Sequence, residues 1–143
     1  MTRREAREAV LALLFERACR TDETAEEVYN KSLFLRGAKE NEYIHTVYYG
    51  VWENAERIDG AISGAANEWR LDRMSRVTLA ILRLAAYELY FMENVPKGVT
   101  INEALELAKQ YDDGAAPAFV NGILNKIASE PSIVKETVPR GGR

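Results

Sequence analysis

The chain has 143 residues, of which 47% are hydrophobic and 29% are charged, and its formal net charge at pH 7 is −3. This composition is typical of one globular domain or two small subdomains, and the absence of a run of about 18 apolar residues argues against a membrane span. A net negative charge also argues against general nucleic-acid binding, so any such function would depend on a local basic patch.

The first predicted helix covers residues 3–20 and has a clear start signal. Thr2 and Glu5 have the spacing of a capping box. In this motif the threonine hydroxyl accepts from the amide of the glutamate, and the glutamate side chain accepts from the amide of the threonine. The helix is therefore predicted to begin directly after Thr2.

Three arginines, Arg3, Arg4 and Arg7, occupy the first two turns of this helix. Cations are unfavourable there because the positive end of the helix dipole lies at the N-terminus. The three side chains span roughly a 100° arc, which predicts a common anion socket that would suit a phosphate chain. A solvated helix start, in which Glu5 and Glu8 neutralise the arginines, is the equally supported alternative.

Apolar residues repeat every three to four positions along most of the chain, which predicts helices throughout. The next predicted helices cover residues 24–36, 40–57 and 59–69. Gly37 is expected to stop the first of them, and Gly60 is expected to bend the last. Residues 70–75 are polar and form a predicted junction.

A further helix is predicted over residues 77–93 and is apolar on most sides, which places it at the centre of its bundle. Pro96 and Gly98 are expected to end this helix. Thr100 with Glu103 has the form of a second capping box, which is expected to open the following helix.

Pro117 is a good first residue for the last helix. Gly122 within that helix costs up to ~1 kcal/mol relative to alanine, and close contact with another helix is the expected compensation, ahead of ligand approach. Two prolines and two glycines predict a disordered tail over residues 131–143. The predicted fold is all-α, with about seven helices in two small bundles, at residues 1–70 and 71–130.

The sequence offers no arrangement typical of an enzyme. His45 is the only histidine and Cys19 the only cysteine, so no metal-ligand spacing occurs, and phosphate loops and nucleophile elbows are absent. Asp112 and Asp113 precede a glycine and are typical of a turn. We therefore expect no catalysis, cofactor or metal, and a partly buried Cys19 thiol in the cytoplasm.

Two charged residues, Arg83 and Glu88, interrupt the apolar run AILRLAAYELY. A buried charge is unfavourable unless it is paired, and a spacing of five residues puts these two on different helical faces. We expect each to pair with a residue of another helix, ahead of contact with an outside partner.

Four segments in order, RREAREAVLALLF, ILRLAAYEL, VPKGVTINEALELAK and FVNGILNKI, resemble the NusB family of bacterial transcription antitermination factors. The resemblance spans residues 3–128. It implies an all-helical NusB-like fold of two bundles and no catalysis. It also implies binding to single-stranded boxA RNA in the leader of ribosomal RNA, a heterodimer with the ribosomal protein NusE, and assembly into the RNA polymerase antitermination complex. Homodimers occur in part of the family.

The resemblance further implies functional residues. The implied RNA-binding positions are Arg3, Arg4, Arg7, Arg76 and Phe119. The implied positions for the contact with NusE are Thr78, Arg83 and Glu88. Phe119 could stack on a base, a contact worth ~1–3 kcal/mol, or could equally be a core residue.

The sequence departs from the family pattern in two places. Only Met1 and Thr2 precede the arginines, where family members often carry a longer basic extension, and Ala115 and Ala116 replace the usual acid or serine in the turn before the last helix. The first departure keeps open an alternative function, that of a protein-interaction module without RNA binding. The second makes the details of base recognition an open question.

Overall fold

The computed structural model of the protein describes residues 1–36, 41–67, 71–112 and 114–135. These residues form seven α-helices and one short 3-10 helix, with no strand among them, which confirms the all-α prediction. The helices are α1 (Arg3–Cys19), α2 (Ala25–Arg36), α3 (Glu42–Glu53), α4 (Ala55–Ala65), α5 (Arg76–Phe91), α6 (Lys97–Tyr111) and α7 (Ala116–Ala128). The 3-10 helix covers Leu71–Arg73, between α4 and α5.

Helix α1 begins with the predicted capping box. The Thr2 hydroxyl accepts from the Glu5 amide at 3.0 Å, and the Thr2 amide donates to Glu5 Oε1 at 2.7 Å. The motif satisfies two backbone groups at the helix start. Toward the interior, the helix buries Val10 and Leu14 completely.

The break between the third and fourth helices lies at Asn54, so the predicted helix over 40–57 is wrong at its end. The Asn54 amide and side-chain nitrogen both donate to the Gly50 carbonyl, at 3.0 and 2.8 Å. An asparagine side chain that bonds the backbone in this way competes with the regular helical pattern. Helix α4 runs through Gly60, and the bend predicted there stays a prediction. The predicted stop at Gly37 lies outside the described residues.

Helix α5 ends at Phe91, before the predicted stop signals. Pro96 instead is the N-cap of α6, and Gly98 lies in the first turn of that helix. The second capping box, predicted from Thr100 and Glu103, is therefore wrong. Thr100 lies inside α6 with its side chain buried, and its hydroxyl donates across to α5.

Helix α5 is the centre of the structure, as its apolar character predicted. It packs against five other helices: α1, α3, α4, α6 and α7. The start of α7 matches its prediction, since Pro117 lies in the first turn. Helix α5 contacts helices from both halves of the chain. The predicted division into two bundles, at residues 1–70 and 71–130, therefore stays a prediction. Over the described ranges, no helix combines the length and apolarity that crossing a membrane requires.

Two expectations near the C-terminus are corrected. Gly122 is exposed, and a Cβ atom added there would meet no atom within 4 Å, so no helix contact compensates its flexibility.

The chain after α7 is folded back as far as Lys135, where disorder was predicted from residue 131. Ile133 is buried, and Lys135 Nζ donates to the carbonyls of Glu88 at 2.8 Å and Met92 at 3.0 Å. Residues 136–143 of the predicted tail lie outside the described part.

Candidate nucleic-acid interface

The three arginines of α1 do not share one site. Arg7 is 5% exposed and points into the protein. The Arg4 side chain is 62% exposed and pairs with Glu103 of α6. Arg3 is exposed, and its guanidinium carbon lies 4.3 Å from the centre of the Tyr43 ring. The predicted common anion socket is therefore wrong, because the arginines already have partners inside the protein. Glu103 binds both Arg4 and Arg7, and Glu88 also binds Arg7. Arg3 lies over the Tyr43 ring.

Arg7 belongs to a buried carboxylate cluster that consists of Arg7, Tyr43, Glu88 and Thr100. Arg7 Nε and Nη2 donate to the two carboxylate oxygens of Glu88, at 2.7 and 3.1 Å. The Thr100 hydroxyl donates to Glu88 Oε1 at 2.7 Å, and the Tyr43 hydroxyl donates to Oε2. Burial, followed by the Glu88 charge, raises the pKa of the Tyr43 hydroxyl, which keeps it a donor. The cluster joins α1, α3, α5 and α6.

The side chains proposed to face NusE are occupied internally. Glu88 is 0% exposed. Arg83 donates from Nε and Nη2 to the Asp59 carboxylate, at 2.9 and 3.0 Å. The Thr78 hydroxyl donates to Asp112 Oδ2 at 2.6 Å. The internal pairs expected for Arg83 and Glu88 are confirmed, as expected for buried polar groups. The contact with NusE implied for these three positions stays a prediction.

A charged cleft of about 240 Å³ lies between α1 and α6. Arg4 Nε and Nη2 donate to the two oxygens of Glu103, at 3.1 and 2.7 Å. Arg7 Nη1 lies 3.5 Å from the same carboxylate. The hydrogen bond from Arg4 lowers the pKa of Glu103. Glu106 and Lys109 also line the cleft, and Lys109 Nζ lies 3.7 Å from Glu106 Oε1.

A second hollow of about 330 Å³ lies where the 3-10 helix meets α5 and α7. Its lining residues are Arg73, Met74, Ser75, Thr78, Asp112, Ala115, Ala116 and Phe119. Phe119 is half-buried, packs against the core and also lines this hollow, so its role in base stacking stays a prediction. Asp112, which sequence reasoning assigned only to a turn, accepts hydrogen bonds from Ser75 and Thr78 beside this hollow.

Arg76 lies at the start of α5 and is exposed. Its Nη1 is 3.5 Å from the Cys19 sulfur at the end of α1. Cys19 is exposed, which corrects the expectation of a partly buried thiol. Within the described ranges, no three His, Cys, Asp or Glu side chains are grouped so as to hold a metal ion.

Asp112 should make stability sensitive to acid. Hydrogen bonds from Ser75 and Thr78 lower its pKa below the ordinary value of 3.8. Near pH 4 the unfolded chain therefore binds more protons than the folded one, so stability rises with pH there and is lost as pH falls through the folded pKa. We expect Asp112→Asn, which cannot titrate, to flatten the decline of the urea midpoint between about pH 5 and about pH 3. Glu56→Gln, an exposed carboxylate on α4, is the control, and an equal flattening by both variants would contradict the assignment.

The geometry can be compared with known proteins. The sequence model that describes the NusB family matches residues 4–129 of the chain. The chain belongs to the NusB family. A transcription antitermination protein NusB from Trichlorobacter lovleyi is 43% identical over 139 residues, which covers 90% of this chain and 92% of the relative.

Solved NusB structures share the fold. T. maritima NusB superposes with a TM-score of 0.82 at 38% identity and covers 91% of this chain and 92% of its own. A chain from the crystal structure of the antitermination factors NusB and NusE in complex with double-stranded RNA superposes with a TM-score of 0.78 at 27% identity, covering 88% of this chain and 95% of that chain. These matches confirm the NusB-like fold expected from the four sequence segments.

Sequence reasoning missed two residues of the candidate interface, Glu103 and Asp112. Glu103 had been explained as a helix cap, yet its partner Arg4 lies 99 positions away in the chain. Asp112 bonds residues 34 and 37 positions away. Local sequence patterns carry no signal for such long-range pairs.

Proposed function

We propose that this NusB-family protein is a transcription antitermination factor that binds single-stranded boxA RNA of ribosomal RNA leaders together with NusE. It acts in the cytoplasm as part of the RNA polymerase antitermination complex and carries out no catalysis. The observation that carries the proposal is the family match over residues 4–129 together with the likeness to a chain solved with NusE and RNA.

The proposed RNA surface combines the exposed arginines at the start of α1 with the hollow beside Phe119. Arg3 and Arg4 offer exposed guanidinium groups at a helix N-terminus, where phosphate oxygens are favoured. Arg76 and Phe119 would contact the strand further along, with the ring available for base stacking. Arg7 is proposed to support this surface from inside, because its charge is held by Glu88. A small patch of this kind suffices for single-stranded RNA even on an acidic protein.

The double variant Arg3→Ala, Arg4→Ala is expected to weaken boxA RNA binding by ~2 kcal/mol or more. It should also reduce the dependence of affinity on salt, because fewer counterions are released when fewer phosphates are contacted. The measurement is a fluorescence anisotropy titration of labelled boxA RNA at two salt concentrations, with NusE present. Arg7 is left intact because its loss would disturb folding.

The matched control is Arg20→Ala, Arg57→Ala, which removes the same charge from exposed positions at the end of α1 and on α4. Equal losses in both double variants would contradict a specific contact at the start of α1. The alternative function, a protein-interaction module without RNA binding, is favoured by the carboxylates that hold Arg4 and Arg7. That function would be supported if the wild-type protein retained NusE in a pull-down but bound no RNA.

A further inference from the structure

We propose that Glu103 is a positioning residue for RNA binding, which holds Arg4 by one edge of its guanidinium group and presents the other edge to a phosphate. The inference rests on the proposed RNA-binding function. Nothing in the local sequence of α6 would assign this role, because Glu103 itself would not touch the RNA.

The geometry of the Arg4–Glu103 pair leaves half of the guanidinium group available. Glu103 accepts from Nε and Nη2, which form one edge of the planar group. The opposite edge consists of Nη1 and the outer hydrogen of Nη2. Among the described residues, Nη1 of Arg4 has no hydrogen-bond partner. An arginine can therefore hold a carboxylate on one edge and two phosphate oxygens on the other.

Glu103 is itself fixed from the core. Its side chain is only 15% exposed and also lies 3.5 Å from Arg7 Nη1. Arg7 in turn is held by both oxygens of Glu88 inside the buried carboxylate cluster. A continuous series of charge contacts thus runs from the protein centre to Arg4. A long side chain that is ordered before binding loses less rotamer freedom when the ligand arrives.

The negative charge of Glu103 acts in the opposite direction, since it repels a phosphate. Two guanidinium groups, those of Arg4 and Arg7, neutralise this carboxylate. A phosphate on the free edge of Arg4 would also lie on the far side of that cation. We therefore expect the ordering of Arg4 to outweigh the repulsion.

Glu103→Gln tests the inference because positioning and repulsion predict opposite signs. The glutamine removes one negative charge but holds Arg4 by a single acceptor oxygen, so we expect boxA RNA affinity to fall by about 2- to 10-fold. Glu106→Gln is the matched control, because it neutralises a carboxylate one turn away that pairs with Lys109 and not with Arg4. It should leave the affinity unchanged or raise it. A gain in affinity for Glu103→Gln would overturn the proposal.

Glu103→Asp provides a second test that keeps the charge. The side chain is one methylene shorter, which draws the carboxylate away from Arg4 in its present position. We therefore expect affinity to fall although the charge is kept, and an unchanged affinity would contradict positioning. Both variants are repeated in an Arg4→Ala background, where neither should weaken binding further, and a further loss there would show that Glu103 acts without Arg4. Loss of RNA binding through Arg4→Ala without any effect of Glu103→Gln would refute this inference alone. Absence of RNA binding by the wild-type protein would refute the proposed function itself.

Discussion

Replacing Glu88 by alanine is expected to lower the free energy of unfolding by ~3–5 kcal/mol. The carboxylate is completely buried and accepts hydrogen bonds from Arg7, Tyr43 and Thr100. Its removal leaves the Arg7 charge buried without its main partner and two hydroxyls without an acceptor. Urea unfolding followed by circular dichroism measures the loss, which could be large enough to leave the protein mostly unfolded.

Two controls separate the buried charge from a general effect of losing a carboxylate. Glu16→Ala breaks a surface pair in which Arg20 Nε lies 3.5 Å from Glu16 Oε1, and should cost less than ~1 kcal/mol. The double variant Arg7→Met, Glu88→Leu removes both charges and should recover much of the stability lost in Glu88→Ala. A cost for Glu88→Ala as small as that for Glu16→Ala would contradict the assigned role of the buried carboxylate cluster.

Gly50→Val is expected to destabilise the protein by ~1–3 kcal/mol. Gly50 lies in α3 where this helix meets α5, and a Cβ atom placed there would lie 2.3 Å from Cε2 of Tyr87. The valine side chain would force the Tyr87 ring out of its packed position. The free energy of unfolding from urea titrations is again the measurement.

Substitutions at two other positions test this explanation. Gly122→Ala places a methyl group in open space within α7, and should raise stability by up to ~1 kcal/mol through helix propensity. In a Tyr87→Leu background, where the ring is absent, the cost of Gly50→Val should largely disappear. An undiminished cost in that background would show that the ring contact is not the cause.

The Thr-x-x-Glu pattern occurs three times in this chain and has two different outcomes. At Thr24 and Glu27 it forms a capping box at the start of α2, with both hydrogen bonds present. At Thr2 and Glu5 it forms the predicted capping box, and both hydrogen bonds join residues three positions apart. At Thr100 and Glu103 it forms no cap, because Thr100 bonds Glu88 and Glu103 bonds Arg4. A local motif predicts structure only where no partner from another helix competes for its side chains.

The arginines of α1 show the same limit for the candidate site. Their spacing correctly placed them on one part of a helix, but burial divided them. Arg7 meets Glu88, 81 positions away, while Arg4 stays largely exposed beside Glu103. The family resemblance named all three as RNA-contacting positions, and their separation into one internal and two exposed groups could not be obtained from spacing alone.

Helical periodicity, the first capping box and the apolar character of α5 were enough to predict an all-α protein with α5 at its centre, because these features depend on residues three or four positions apart. Four ordered sequence segments were enough to indicate the NusB family. The partners of Arg4, Arg7, Arg83 and Glu88, and the break at Asn54, were decided by the tertiary structure. The physical reason is that a buried or half-buried charge takes the carboxylate or guanidinium group that packing brings within reach, and that choice depends on how the helices are arranged in space.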